Sequence, residues 1–214
     1  MKLLLIADEE SPYFWDHYQP WKLKDIDLIL SAGDLKAEYL TFLVTLGHAP
    51  LLYVHGNHDG RYEQKPPEGC QCVDGDLVCV NGLRIMGLGG CPLYNYGPHQ
   101  YTERQMRRRI RALRCKIRKY KGVDIVLTHA PARGLGDQED PVHRGFEAFL
   151  KLMDTLHPRY LIHGHIHQRY QVKPLEDLHY GDTTILNAGG YRILEIPDPP
   201  PGKDEHKRRR WKLF

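Results

Sequence analysis

A chain of 214 residues, 41% apolar and 27% charged, has the make-up of an ordinary globular domain and is long enough for one sizeable core. No apolar run approaches the ~20 residues that span a bilayer, and residues 1–6 are too short for a secretion signal, so a cytoplasmic protein without membrane contact is expected. The odd count of five cysteines fits free thiols in a reducing compartment, and the formal charge of +3 hides two basic stretches, residues 104–121 and 207–212.

Residues 2–7 read as a first strand that runs into Asp8 and Glu10. Residues 10–24 carry Tyr13, Phe14, Trp15, Tyr18 and Trp21 and read as a short helix packed on the sheet, with Tyr13 and Phe14 the candidates to stack on a substrate. A second strand over 25–32 ends in Gly33-Asp34. A helix over 35–46, closed by Gly47, leads to a third strand that begins at Pro50 and delivers Gly56-Asn57-His58-Asp59. Such alternation gives parallel strands, and open α/β sheets bind ligands beyond the carboxyl ends of those strands.

Residues 60–75 read as a loop, and 76–80 with 83–88 as a hairpin about Asn81-Gly82. Tyr94, Tyr96 and His99 lie in a turn-rich stretch. Residues 102–121 read as one long helix with Met106, Ile110, Leu113 and Ile117 as its buried stripe. Its other faces, from Arg104 to Lys119, are densely basic: either a solvated face or a nucleic-acid contact. A strand over 123–128 ends in His129. The following loop carries Asp137, Glu139 and Asp140, read as solvated. A helix over 145–156 and a strand over 159–162 precede Gly164-His165-Ile166-His167, with His163 a core histidine. Closing strands are expected at 170–172, 183–186 and 191–196, the last two joined by Asn187-Ala188-Gly189-Gly190. One domain is thus expected over residues 1–196, followed by a proline-containing linker and basic tail over 197–214.

Five apolar runs in succession therefore end in Asp, Asn or His. These side chains bind metal ions or move protons, and their recurrence at strand ends points to one shared site. Residues two apart on an extended segment point to one side, which pairs Asp8 with Glu10 and His165 with His167. Asp34, after a tight glycine turn, can present both oxygens as the bridge between two cations.

The order and spacing of Asp8, Gly33-Asp34, Gly56-Asn57-His58-Asp59, His129 and Gly164-His165-Ile166-His167 resemble the calcineurin-like metallophosphoesterases over residues 1–196. The resemblance implies a four-layer αββα sandwich, two mixed sheets flanked by helices. It implies two divalent ions, Mn²⁺ favoured over Fe, Zn, Mg or Ni. Asp8, Asp34, His167 and Glu10 would hold the first ion, and Asp34, Asn57, His129 and His165 the second. It also implies hydrolysis of a phosphoester, foremost a phosphodiester, by a metal-activated water. His58 would bind the phosphate or protonate the leaving oxygen, Asp59 would orient His58, and Tyr94 and His99 would border the substrate. One position departs from the family: Glu10 stands where a histidine is usual. That departure keeps a second expectation open, a weakly active or non-catalytic scaffold that binds nucleic acid through the basic helix.

Overall fold

The computed structural model describes residues 1–166 and 177–197. His167, the strand expected over 170–172 and the segment 198–214 lie outside the described residues. The strands are β1 Lys2–Ala7, β2 Leu28–Ser31, β3 Leu51–Tyr53, β4 Gln71–Cys72, β5 Leu77–Val80, β6 Leu83–Leu88, β7 Cys91–Pro92, β8 Gln100–Tyr101, β9 Ile125–Thr128, β10 Tyr160–His163, β11 Leu178–Tyr180, β12 Thr183–Asn187 and β13 Gly190–Glu195. The α-helices are α1 Ala37–Gly47, α2 Glu103–Ala112, α3 Arg114–Tyr120 and α4 Glu147–Leu156.

Strand alternation builds the layers. Leu3 and Leu5 of β1, with Leu28, Leu30 and Leu52, face Ile85, Ile125, Leu127, Ile162 and Leu186 in a core between two sheets. Leu4, Ile6 and Ile29, one residue out of phase, face Tyr39, Leu40 and Leu43 of α1. Met86, Val126, Leu161 and Ile185 turn the other way, onto Met106 of α2 and Phe149, Leu152 and Met153 of α4. A period of two on each strand thus makes both faces apolar, as a sheet covered on both sides requires. The result is the expected αββα sandwich.

One sheet has the order β13-β1-β2-β3-β4 and the other β11-β12-β10-β9-β6-β5, with β7 and β8 a separate pair. Both large sheets are mixed. β1 through β4 are parallel while β13 runs antiparallel to β1. β6, β9, β10 and β12 are parallel, with β5 and β11 antiparallel at the edges. The Asn187–Gly190 connection therefore crosses from one sheet to the other, and Gly189 bridges back to Ala7. Among the described residues no helix is long and apolar enough to cross a membrane.

The hairpin follows its sequence: Asn81 and Gly82 both have positive φ, 50° and 86°, as a two-residue type I′ turn needs. Other details differ from expectation. Residues 10–24 form turns and a short 3-10 segment, Pro20–Lys22, in place of a helix. α1 extends through Gly47, and the left-handed residue that stops it is His48 at φ 54°; histidine is among the residues enriched in that conformation. The long basic helix is two helices. α2 starts at a Thr102–Gln105 capping box, and at Leu113 the N–H turns to Ile110 O at 3.1 Å, a tighter pitch that ends α2 and buries Leu113.

An ion pair outside the site locks β6 to β9. Arg84 gives Asp124 three donors, Nε at 2.7 Å, Nη2 at 2.6 Å and its backbone N–H at 2.9 Å. Burial would raise the Asp124 carboxyl, but Arg84 outweighs it and holds the group below its ordinary value. A depressed carboxylate contributes stability above its unfolded pKa, about 4, and loses it as pH falls through the lower folded value. Asp124→Asn should cost about 2 kcal/mol at neutral pH. Urea denaturation of both proteins should show that gap closing on acidification below about pH 4.

Candidate metal centre

The parallel strands place their carboxyl ends along one edge, and the polar turns gather there. Two glycines make the approach possible. A Cβ on Gly56 would stand 2.0 Å from Asp34 Oδ1, and one on Gly164 would stand 2.8 Å from Asp8 Oδ2 and 2.7 Å from the Ala7 Cβ. Asp8, Asp34 and His165 all adopt left-handed backbone, φ 63°, 58° and 68°. For non-glycine residues this conformation costs of order 1 kcal/mol or more and clusters at functional sites.

At the centre is His129, fully buried. Its Nδ1 lies 2.8 Å from Ala32 O. A carbonyl only accepts, so Nδ1 carries hydrogen and Nε2 of the neutral ring is a bare lone pair. His165 is fixed in the opposite sense, because Nε2 lies 2.7 Å from Val142 O and so leaves Nδ1 bare. Those two bare nitrogens are 3.1 Å apart. His129 Nε2 is also 3.1 Å from Asn57 Oδ1 and 3.2 Å from Asp34 Oδ2. Asn57 Nδ2 donates to Tyr94 Oη at 3.3 Å, which turns its oxygen toward the centre.

Four acceptor atoms thus converge and repel unless positive charge lies among them. A proton does part of this. Burial pushes His129 down, but Asp34 prevails and holds it at about 9. Burial likewise raises Asp34, but His129 and the His58 N–H bring it to about 2. Burial and the charge on His129 push His165 to about 3. A divalent cation satisfies the set better. Donors about 3.0–3.4 Å apart are what bonds of about 2.1 Å to one small ion produce. The donors of Asp34, His129 and His165 lie within 4.8 Å of one another, and the nitrogen–oxygen mixture suits first-row divalent metals. The residues fit the group.

The remaining expected residues fall in several places. Asp8 joins the centre from β1, where its oxygens accept the His165 N–H at 2.9 and 3.0 Å. Glu10 points to Lys36, Oε2 to Nζ 3.1 Å. His58 is exposed at the rim, and its N–H donates to Asp34 Oδ1 at 2.8 Å. Asp59 does not orient it. Asp59 is buried, and Oδ2 accepts the N–H groups of Gly56 at 2.7 Å and Asp34 at 2.9 Å, so it clamps two strand ends together. Burial and the neighbouring Asp34 charge push Asp59 up to about 6.

Of the four substrate candidates, Tyr94 borders the centre. Phe14, 1% exposed, is core. The Tyr13 ring is engaged, stacked on Tyr191 with centroids 5.6 Å apart and with Lys22 Nζ 3.6 Å from its centroid. His99 stacks on His55 at 4.4 Å in a different cluster. His163 is a core histidine as expected. Asp137 is not solvated: its side chain is 5% exposed and takes Arg133 and the N–H groups of Gly134 and Gly145. Asp140 accepts from the Val142 N–H at 3.0 Å. This loop supplies the carbonyl that sets His165, a backbone contribution invisible in the sequence.

A family profile described as calcineurin-like phosphoesterase matches residues 9–169. The chain belongs to that family. Calcineurin-like phosphoesterase chemistry is metal-dependent cleavage of phosphoesters, and the donor set of this member agrees with it. UPF0046 protein K07C11.7 of Caenorhabditis elegans is 25% identical over 197 residues, 77% of this chain and 62% of the relative. The chain therefore spans less than two thirds of that relative. A crystal structure superposes with a TM-score of 0.66 at 17% identity, over 90% of this chain and 94% of its own. The crystal structure of TT1561 of Thermus thermophilus gives 0.59 at 16% identity, over 88% of each chain. At these identities the two structures show a shared fold.

Proposed function

We propose that this member hydrolyses phosphodiesters at a dinuclear centre. The observation that carries the reading is the convergence of His165 Nδ1, Asp34 Oδ2 and Asn57 Oδ1 within hydrogen-bonding distance of His129 Nε2. These four would hold one ion, and Asp8, Asp34 and His167, with Glu10 if it leaves Lys36, the other. Manganese suits the mixed set, and iron, zinc, magnesium and nickel are alternatives. The ions supply Lewis acidity and an activated water. The chain's own residues do the rest. The Ala32 and Val142 carbonyls keep the imidazoles in register, Tyr94 turns Asn57, and exposed His58 binds the phosphate or gives a proton to the leaving oxygen. All five cysteines are free, which favours the cytoplasm. Chelation should abolish turnover of an aryl phosphodiester, and Mn²⁺ should restore it. Full turnover in the chelated protein would refute the proposal.

A second reading, nucleic acid as ligand or substrate, rests on charge. On α2 and α3, Arg107, Arg109 and Lys116 are engaged by acidic groups. Arg104, Arg108, Arg111, Arg114 and Arg118 are exposed and have no acidic partner among the described residues. Single-stranded RNA should bind with log affinity falling by about 0.7 per phosphate contact against log salt. No binding at low salt would leave a merely solvated face.

A further inference from the structure

We propose that Asp140 is a positioning residue for the metal centre, acting on His165 through the peptide group between Val142 and His143. The proposal rests on the reading above in that it takes His165 Nδ1 to hold an ion. The sequence Asp140-Pro141-Val142-His143 is built as a turn. Proline has no N–H to give, and an aspartate before it takes backbone donors further along the turn. Oδ1 does so here, accepting the Val142 N–H at 3.0 Å and the His143 N–H at 3.1 Å. The His143 side chain holds the same carboxylate, with Nδ1 3.1 Å from Oδ1 and 3.0 Å from Oδ2. The Gln138 N–H donates to His143 O at 3.1 Å and closes the loop.

The deciding observation is what meets the other end of that peptide group. The His143 N–H and the Val142 C=O belong to one planar unit and point opposite ways. The N–H donates to Asp140, and Val142 O accepts from His165 Nε2 at 2.7 Å. His165 Nδ1 then faces His129 Nε2 at 3.1 Å in the centre. Carboxylate, peptide and imidazole are thus joined in series. A metal-binding histidine commonly donates its far N–H to a carboxylate or a carbonyl, which fixes its tautomer, orientation and basicity. Here the carbonyl is itself set by a carboxylate, and hydrogen bonds in series polarise one another. The Asp140 side chain is 43% exposed. Solvent therefore screens its charge, and its action on His165 is chiefly geometric.

The test compares Asp140→Ala, Asp140→Asn and Glu139→Ala with wild type, all as full chains. Mn²⁺ binding is measured by calorimetry. The His165 ring nitrogens are read by ¹⁵N NMR in the metal-free chains, where a protonated and a bare nitrogen give separate signals. Asp140→Ala should weaken Mn²⁺ binding about tenfold. It should also draw the two nitrogen signals together, as the ring divides between tautomers. Asp140→Asn keeps an acceptor oxygen in the same place and should restore most of the affinity and the separate signals. Glu139→Ala removes an exposed carboxylate of the same loop, paired with Arg133, and should change neither readout. Unchanged nitrogen signals in Asp140→Ala overturn the proposal, as does an asparagine variant as weak as alanine. A wild type that takes up no Mn²⁺ refutes the underlying reading and this proposal with it, and that failure is visible before any variant is made.

Discussion

Asp34→Asn should lower turnover of an aryl phosphodiester by on the order of 10³-fold, about 4 kcal/mol of barrier, and weaken metal binding with it. The substitution is nearly isosteric. An amide oxygen can still accept the His58 N–H that Oδ1 accepts now at 2.8 Å, so the turn keeps its shape. What disappears is the negative charge 3.2 Å from His129 Nε2. That charge is what holds His129 high against its burial, and under the dinuclear reading it is also the link between both ions. The loss should therefore appear in kcat and in bound metal, with an unchanged circular dichroism spectrum. Turnover within tenfold of wild type would place the reacting centre elsewhere.

Asp59→Ala should have the largest effect on stability at the site, about 3–4 kcal/mol. The carboxylate is 3% exposed, and a single oxygen satisfies two backbone donors from different strand ends, Gly56 and Asp34. Alanine leaves both N–H groups buried without an acceptor. Asp59→Asn separates this account from a charge-based one, because an amide oxygen in the same place accepts the same two bonds. It should cost less than about 1 kcal/mol. Chemical denaturation of the two variants decides it. Equal losses would mean that the charge matters and the clamp does not.

The layers were legible because β1, β2, β9 and β10 carry apolar runs that end in site residues, and the hairpin because Asn81-Gly82 admits one turn type. The gathering of Asp34, Asn57, His129 and His165 followed from strand ends that had to share an edge. Other features could not be read. The break at Leu113 depends on how α2 and α3 fit the sheet, and no glycine or proline marks it. Glu10 faces Lys36 because of a neighbour 26 positions away. Asp59 looked like a partner for the adjacent imidazole, but sequence cannot show that its nearest donors would be backbone groups of two turns. Phe14 and Tyr13 stood beside a motif, yet Tyr191, far along the chain, covers them.

The pairing of β1 with β13 also carries a meaning in time. β1 is made long before the strand that holds it on one side, residues 190–195, registered from Lys2 with Glu195 to Ala7 with Gly190. Asp8 follows directly, and its oxygens receive the His165 N–H. A nascent chain that has made β1 to β4 has most of one apolar layer but no partner for that edge and no second half of the centre. The second half of the centre arrives with His129 and His165, ahead of β13, so a chain stalled before residues 190–195 carries those ligands but still exposes the open edge of β1 to the chaperones around it.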